Sequence, residues 1–227
     1  MRVAFFSPLP PARSGIADYS EALVEQLRHR VDLEVFPSAG PAFEADMAVY
    51  QIGNNGFHGF VYETALKHPG VVVLHESNLH HLIADITIKR GDWDSYVREC
   101  EYEGGPDARA FAERVRKLEV GPDYDGLPMI RRLLERSRGV IVHSKFMETE
   151  VRTAGFTGPI AVIPHGAWIP EADRNLILYR SKDGLGVRYE GEYVVAGQSA
   201  QGRTGLPMPG SVAADAISFT VEPAGKR

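Results

Sequence analysis

Short apolar runs alternate with stretches of helical period along the chain up to about residue 170. Val3 to Phe6 is an apolar run followed by prolines at 8, 10 and 11, which predicts a buried strand and a turn-rich loop. From Ile16 the apolar positions Ile16, Tyr19, Leu23 and Leu27 fall three and four apart, one face of a helix, and Ser14 is placed to cap it. Further strands are expected at Val31 to Phe36, Met47 to Ile52, Gly70 to Leu74, Gly139 to Val142 and Ile160 to Ile163. The run at 70–74 is β-branched and apolar on both faces, as central parallel strands are. Helical spacing is expected over 57–67, 79–89, 94–101, 108–118, 129–137 and 146–154, the last stopped by Gly155.

Strands alternating with helices imply an α/β, Rossmann-like doubly wound parallel sheet over residues 1–170. In such sheets ligand groups lie on the loops beyond the carboxyl ends of the strands. After about Pro170 the helical period fades and glycines punctuate short segments. Residues 171–227 read as a short β-rich or partly flexible tail of two or three strands, such as 187–195 and 216–221.

Composition narrows the function classes. The apolar share of 44% and charged share of 24% are those of an ordinary globular chain. A net charge of −5 argues against nucleic acid as a partner, because phosphate backbones are held by clustered Lys and Arg. The lone cysteine, Cys100, allows no disulfide within the chain and fits a reducing compartment. No apolar run reaches the length of a membrane span, so a cytoplasmic location with at most peripheral membrane contact is expected.

Candidate chemistry sits where the strands end. Ser14-Gly15 opens a helix, where backbone N–H groups and the helix dipole favour an anion and glycine admits a phosphate or sugar, although an ordinary turn also uses a glycine there. Asn54, Asn55 and His58 follow the third strand and offer donors and acceptors to sugar hydroxyls, or build a loop tolerant of left-handed backbone. His75-Glu76 with His80 and His81 is the densest polar cluster and can supply acid, base or hydrogen-bond chemistry. Its spacing does not match the four-apart histidines of a zinc helix, so no metal site is expected. Ser144 can cap a helix and Lys145 can meet a phosphate, or both are surface residues. Asp92-Trp93-Asp94 and Asp123-Tyr124-Asp125 are read as solvated loop acids, and Cys100 as inert. Neither a dinucleotide-binding glycine fingerprint nor a phosphate-binding P-loop is present.

In their order, several motifs resemble the N-terminal half of family 4 (group 1) glycosyltransferases with the GT-B fold. They are Phe6 to Pro11 with Ser14 to Ser20, Tyr50 to Asn55 with His58, Val73 to Glu76 with Leu79-His80, Val142 to Ser144, and Val162 to Gly166. The resemblance covers about residues 1–170 and implies an acceptor-side domain of a retaining, metal-independent transferase. Such enzymes need no cofactor and use a nucleotide sugar, such as a UDP- or GDP-sugar, as co-substrate. His75 then matches the catalytic-loop histidine that contacts the transferred sugar. Glu76 stands where an aspartate is expected, keeping the charge, and is carried over with His75 as catalytic. Ser14 and Gly15 would line the cleft, with Ser144 and Lys145 near a phosphate. Asn54, Asn55, His58 and His80 would shape the acceptor pocket.

The resemblance stops where a donor domain should follow, since 171–227 is too short for one. A separate donor-domain subunit or a second copy of the chain would then complete the enzyme. The expected function is therefore the acceptor-side half of a glycosyltransferase acting on a glycan or lipid-linked acceptor. The alternatives are a non-catalytic carbohydrate-binding or scaffolding module of the same fold, and a metal hydrolase resting on the histidine cluster alone.

Overall fold

The structure, a computed structural model, describes residues 1–40, 42–165, 176–181, 184–189, 191–195 and 198–202. The chain divides into two compact units, Met1–His165 and Gly166–Arg227.

The first unit is built on six parallel strands: β1 (Arg2–Phe6), β2 (Asp32–Phe36), β3 (Met47–Ile52), β4 (Val71–Leu74), β5 (Gly139–Val142) and β6 (Ile160–Val162). Their order in the sheet is β2-β1-β3-β4-β5-β6. Each expected strand appears within a residue or two of its sequence boundaries, because β-branched apolar runs ended by Gly, Pro or His leave little choice of period. The helices are α1 (Gly15–Leu27), α2 (Gly59–Lys67), α3 (His80–Ile86), α4 (Trp93–Arg116), α5 (Arg131–Arg136) and α6 (Lys145–Thr153). An α/β fold with an all-parallel sheet is thus established.

Alternate strand residues face opposite sides. Phe6, Tyr50, Ile52, Leu74, Val140 and Val142 join a core with Val61, Leu82, Leu133 and Val151 of the helices. Val3, Phe5 and Val73 are buried outside that cluster, as are Ala17 and Val24 of α1. Right-handed crossovers account for this: β1 leads to β2 in one direction, whereas β3 to β6 run in the other, so α1 lies on the opposite face. Fully buried side chains such as Ile52, Leu74 and Leu133 each contribute about 1.5–3 kcal/mol. Tyr50 buries its ring and donates its hydroxyl to the His68 carbonyl at 2.6 Å, so its polar end is satisfied.

The stretches 94–101 and 108–118 lie, as expected, in two helical halves of α4, separated at Gly105 with φ 75° and ψ −160° before Pro106. One helical segment differs from the sequence pattern. The stretch 79–89 ends as a helix at Ile86 and continues as a tight turn, Ile88–Arg90, closed by Gly91 at φ 78°.

In the second unit β7 (Leu176–Ser181) pairs antiparallel with β8 (Gly184–Tyr189), and β9 (Gly191–Val195) pairs antiparallel with β10 (Gln198–Gly202). The strand expected over 187–195 is therefore divided between β8 and β9. The one expected over 216–221 lies outside the described residues. No helix among the described residues is long and apolar enough to cross a membrane.

Candidate functional site at the carboxyl edge of the sheet

The strand order reverses once, between β1 and β3, and the crevice at such a reversal is where α/β sheets bind ligands. The loop after β1 leads to Ser14, whose hydroxyl accepts from the Ile16 amide at 3.3 Å and caps α1. Gly15 opens the helix into free space, since a Cβ there would meet nothing within 4 Å. Across the reversal Gly53 has no such room: a Cβ would fall 2.3 Å from Ile16 and 3.0 Å from the His58 ring. The absence of a side chain there lets Ile16 of α1 and the His58 ring pack against the end of β3.

Three histidines converge beside this crevice. His75 directly follows β4, His143 directly follows β5 and His165 lies just beyond β6. Leu74 and Val142 are register partners, which places the next residue of each strand side by side. The His143 and His165 rings stack with centroids 3.7 Å apart, and His75 is 4.7 Å from His143 and 5.4 Å from His165. Tyr19, one turn into α1, sets its ring edge-on to all three at 5.4, 5.8 and 5.2 Å. The start of α1 and the ends of β4, β5 and β6 thus meet in one place.

Hydrogen bonds define the protonation of the rings. His75 donates Nε2–H to Oε1 of the buried Gln51 at 2.6 Å, leaving Nδ1 as its lone pair. His143 donates Nδ1–H to the Ile163 carbonyl at 2.8 Å, leaving Nε2 buried without a partner among the described residues. His58, fully buried, donates Nδ1–H to the Gln51 carbonyl at 2.9 Å, and its Nε2 is also unpartnered there. Burial lowers the pKa of His75 to about 3, with further lowering from His143, His165 and His58. Burial likewise lowers His58, against the opposing effect of its bond to Gln51, and burial and then the neighbouring His143 ring lower His165. At neutral pH His75 is therefore an uncharged ring with one fixed donor and one fixed acceptor.

The structure brings His75, Ser14, Gly15 and Tyr19 to this edge and gives other sequence candidates local tasks. Asn54 Oδ1 accepts from the Leu82 amide at 3.0 Å and ties the loop to α3, while Asn55 Oδ1 accepts from the Phe57 amide at 3.1 Å. His80 is turned into the core: it donates Nδ1–H to the Leu127 carbonyl and accepts from the Tyr96 hydroxyl on Nε2, each at 2.9 Å. Ser144 caps α6 through the Met147 amide at 3.2 Å, and Lys145 pairs with Glu148 at 2.8 Å on the surface. Glu76 is exposed beside His75. Asp92 caps α4 through the Ser95 amide at 2.9 Å, Asp94 pairs with Arg116 at 2.7 Å, and Asp123 closes a turn through the Gly126 amide at 2.8 Å. Burial pushes the Cys100 thiol up to about 11, which makes it a poor nucleophile.

The sequence did not group these three histidines. The available signal was that each lies within three residues of the end of one of three consecutive strands. Hollows of about 350, 420 and 310 Å³ lie elsewhere, around Phe156, Met47 and Phe43, and contain none of these histidines. Chemistry favours the histidine edge over those hollows, because fixed donors and lone pairs converge there.

No family model, no curated protein and no solved structure matches the chain.

Proposed function

We propose that residues 1–165 form the acceptor-side half of a glycosyltransferase that uses a nucleotide sugar and a glycan or lipid-linked acceptor. The observation that carries this reading is the meeting of the open helix start at Gly15 with the oriented ring of His75, bridged by Tyr19. Gly15 leaves the helix start open, so that a phosphate or a sugar hydroxyl can approach the backbone where the helix dipole favours negative charge. His75 is uncharged, and Gln51 holds its donor nitrogen, so its Nδ1 lone pair can accept a hydroxyl of the sugar being transferred. Glu76, exposed, is the next residue in the chain after that ring and carries a carboxylate. A donor domain would hold the nucleotide sugar opposite this edge.

Titration calorimetry of the purified chain against UDP-sugars, GDP-sugars and a panel of oligosaccharide and lipid-linked acceptors tests the reading. Saturable binding of at least one ligand is expected, weakened by about tenfold or more in both Gly15→Val and His75→Ala. Binding that is indifferent to His75→Ala would favour a carbohydrate-binding module of the same fold. No binding of any sugar ligand at millimolar concentration would overturn both.

A further inference from the structure

The three converging histidines have a property that sugar binding does not require. One ring nitrogen from each of His75, His143 and His165 lies within 4.8 Å of the other two. In His75 and His143 one ring nitrogen is already committed as a donor, to Gln51 Oε1 and to the Ile163 carbonyl, which leaves one lone pair on each ring. This is the arrangement that fixes the tautomer of metal-bound imidazoles and raises their basicity. The lone pairs left over are Nδ1 of His75 and Nε2 of His143, and the latter is buried with no donor facing it among the described residues. A buried acceptor without a donor is costly, and a cation removes that cost.

We propose that His75, His143 and His165 form a binding site for a divalent transition metal of the zinc class, with Gln51 and the Ile163 carbonyl orienting two of its ligands. Three neutral imidazoles without a carboxylate or thiolate suit zinc and disfavour magnesium or calcium, which take oxygen ligands. Zinc–nitrogen bonds of about 2.0–2.1 Å require the three nitrogens to close somewhat from their present spacing. His165, the exposed member, is free to swing away from its stack on His143 and do so. Three protein ligands leave a fourth position for water or a ligand oxygen, as in zinc sites that bind substrate. The inference goes beyond the transferase reading and does not depend on it.

The test is zinc titration of the metal-free full chain by calorimetry, with cobalt(II) absorption as a spectroscopic report of nitrogen-rich four-coordination. About one equivalent of tight zinc is expected. His165→Ala, at an exposed position outside the core, should keep the fold by circular dichroism and weaken zinc by about tenfold or more. His143→Ala should do the same, and if it fails to fold, His165→Ala decides. Gln51→Leu, which touches no metal, should weaken zinc by about tenfold through loss of ligand orientation. His81→Ala, an exposed histidine stacked on Tyr124, should bind zinc as the unaltered chain does. Absence of a stoichiometric site would overturn the proposal. So would zinc affinity that survives His165→Ala but falls in His81→Ala.

Discussion

Gln51 accepts the Nε2 proton of His75 at 2.6 Å while its own backbone carbonyl accepts from His58. A single buried residue of β3 therefore sets the tautomer of one histidine with its side chain and anchors a second with its backbone. The side-chain bond is the more exposed to test, because it crosses from one strand to the next. Gln51→Leu keeps the volume but leaves the His75 N–H without an acceptor. A loss of about 1–3 kcal/mol in urea denaturation is expected. Nitrogen-15 spectra of the imidazole should show the Nε2–H form of His75 in the unaltered chain and a mixture of forms in the variant. An unchanged spectrum would mean that Gln51 does not select the tautomer.

Gly105 holds φ 75° and ψ −160°, a backbone region that essentially only glycine occupies. Space is not the obstacle, since a Cβ there meets nothing within 4 Å. Gly105→Ala should therefore cost about 1–3 kcal/mol through backbone strain alone. Gly121→Ala, equally unobstructed and without a positive φ, should be near neutral. Equal melting temperatures for the two variants would show that the break in α4 can be relieved.

Stability should fall as the solution becomes acidic, and His80 supplies part of the reason. Burial lowers its pKa from 6.5, opposed by its bond to the Leu127 carbonyl. The unfolded chain consequently binds more protons than the folded one below pH 6.5 or so. The contribution is fully present above that pH and is lost as pH falls toward the folded value, at up to about 1.4 kcal/mol per pH unit for each such histidine. His58, lowered for the same reason, acts with the same sign. Urea midpoints measured from neutral to mildly acidic pH should decline, and His80→Gln should flatten the decline. A slope unchanged by that substitution would assign the acid sensitivity elsewhere.

Zinc and sugar should exclude one another at His75, because its single lone pair cannot serve both. Saturating zinc should raise the apparent Kd of a bound sugar ligand in proportion to the ratio of free zinc to its own Kd. Calorimetric titrations with and without the metal measure this directly. Simultaneous binding with unchanged affinities would show that His75 does not contact both.

The strands of the parallel sheet were legible in the sequence because each contains a short apolar run bounded by Gly, Pro or a polar residue. Burial on both faces of the central strands leaves such runs little latitude in register or length. The caps at Ser14 and Ser144 were legible for a similarly local reason, since a short polar side chain reaches an amide only two or three residues away, whereas the cap at Asn55 was not read. The two halves of α4 were legible as separate helical stretches, whereas the backbone turn at Gly105 that joins them was not, because helical period says nothing of how one helix leads into the next.

The candidate site divides along the same line. That His75, His143 and His165 each follow a strand is a property of the sequence. That β4, β5 and β6 are parallel neighbours, so that those ends meet, is decided by crossover geometry and sheet pairing across long separations. The opposite fates of two histidines close in sequence have the same origin. His75 ends a strand and reaches the sheet edge, whereas His80 begins α3 and is drawn into the core between Leu127 and Tyr96. Composition and spacing determined which residues could carry chemistry; only packing decided which of them keep a free lone pair with which to do it.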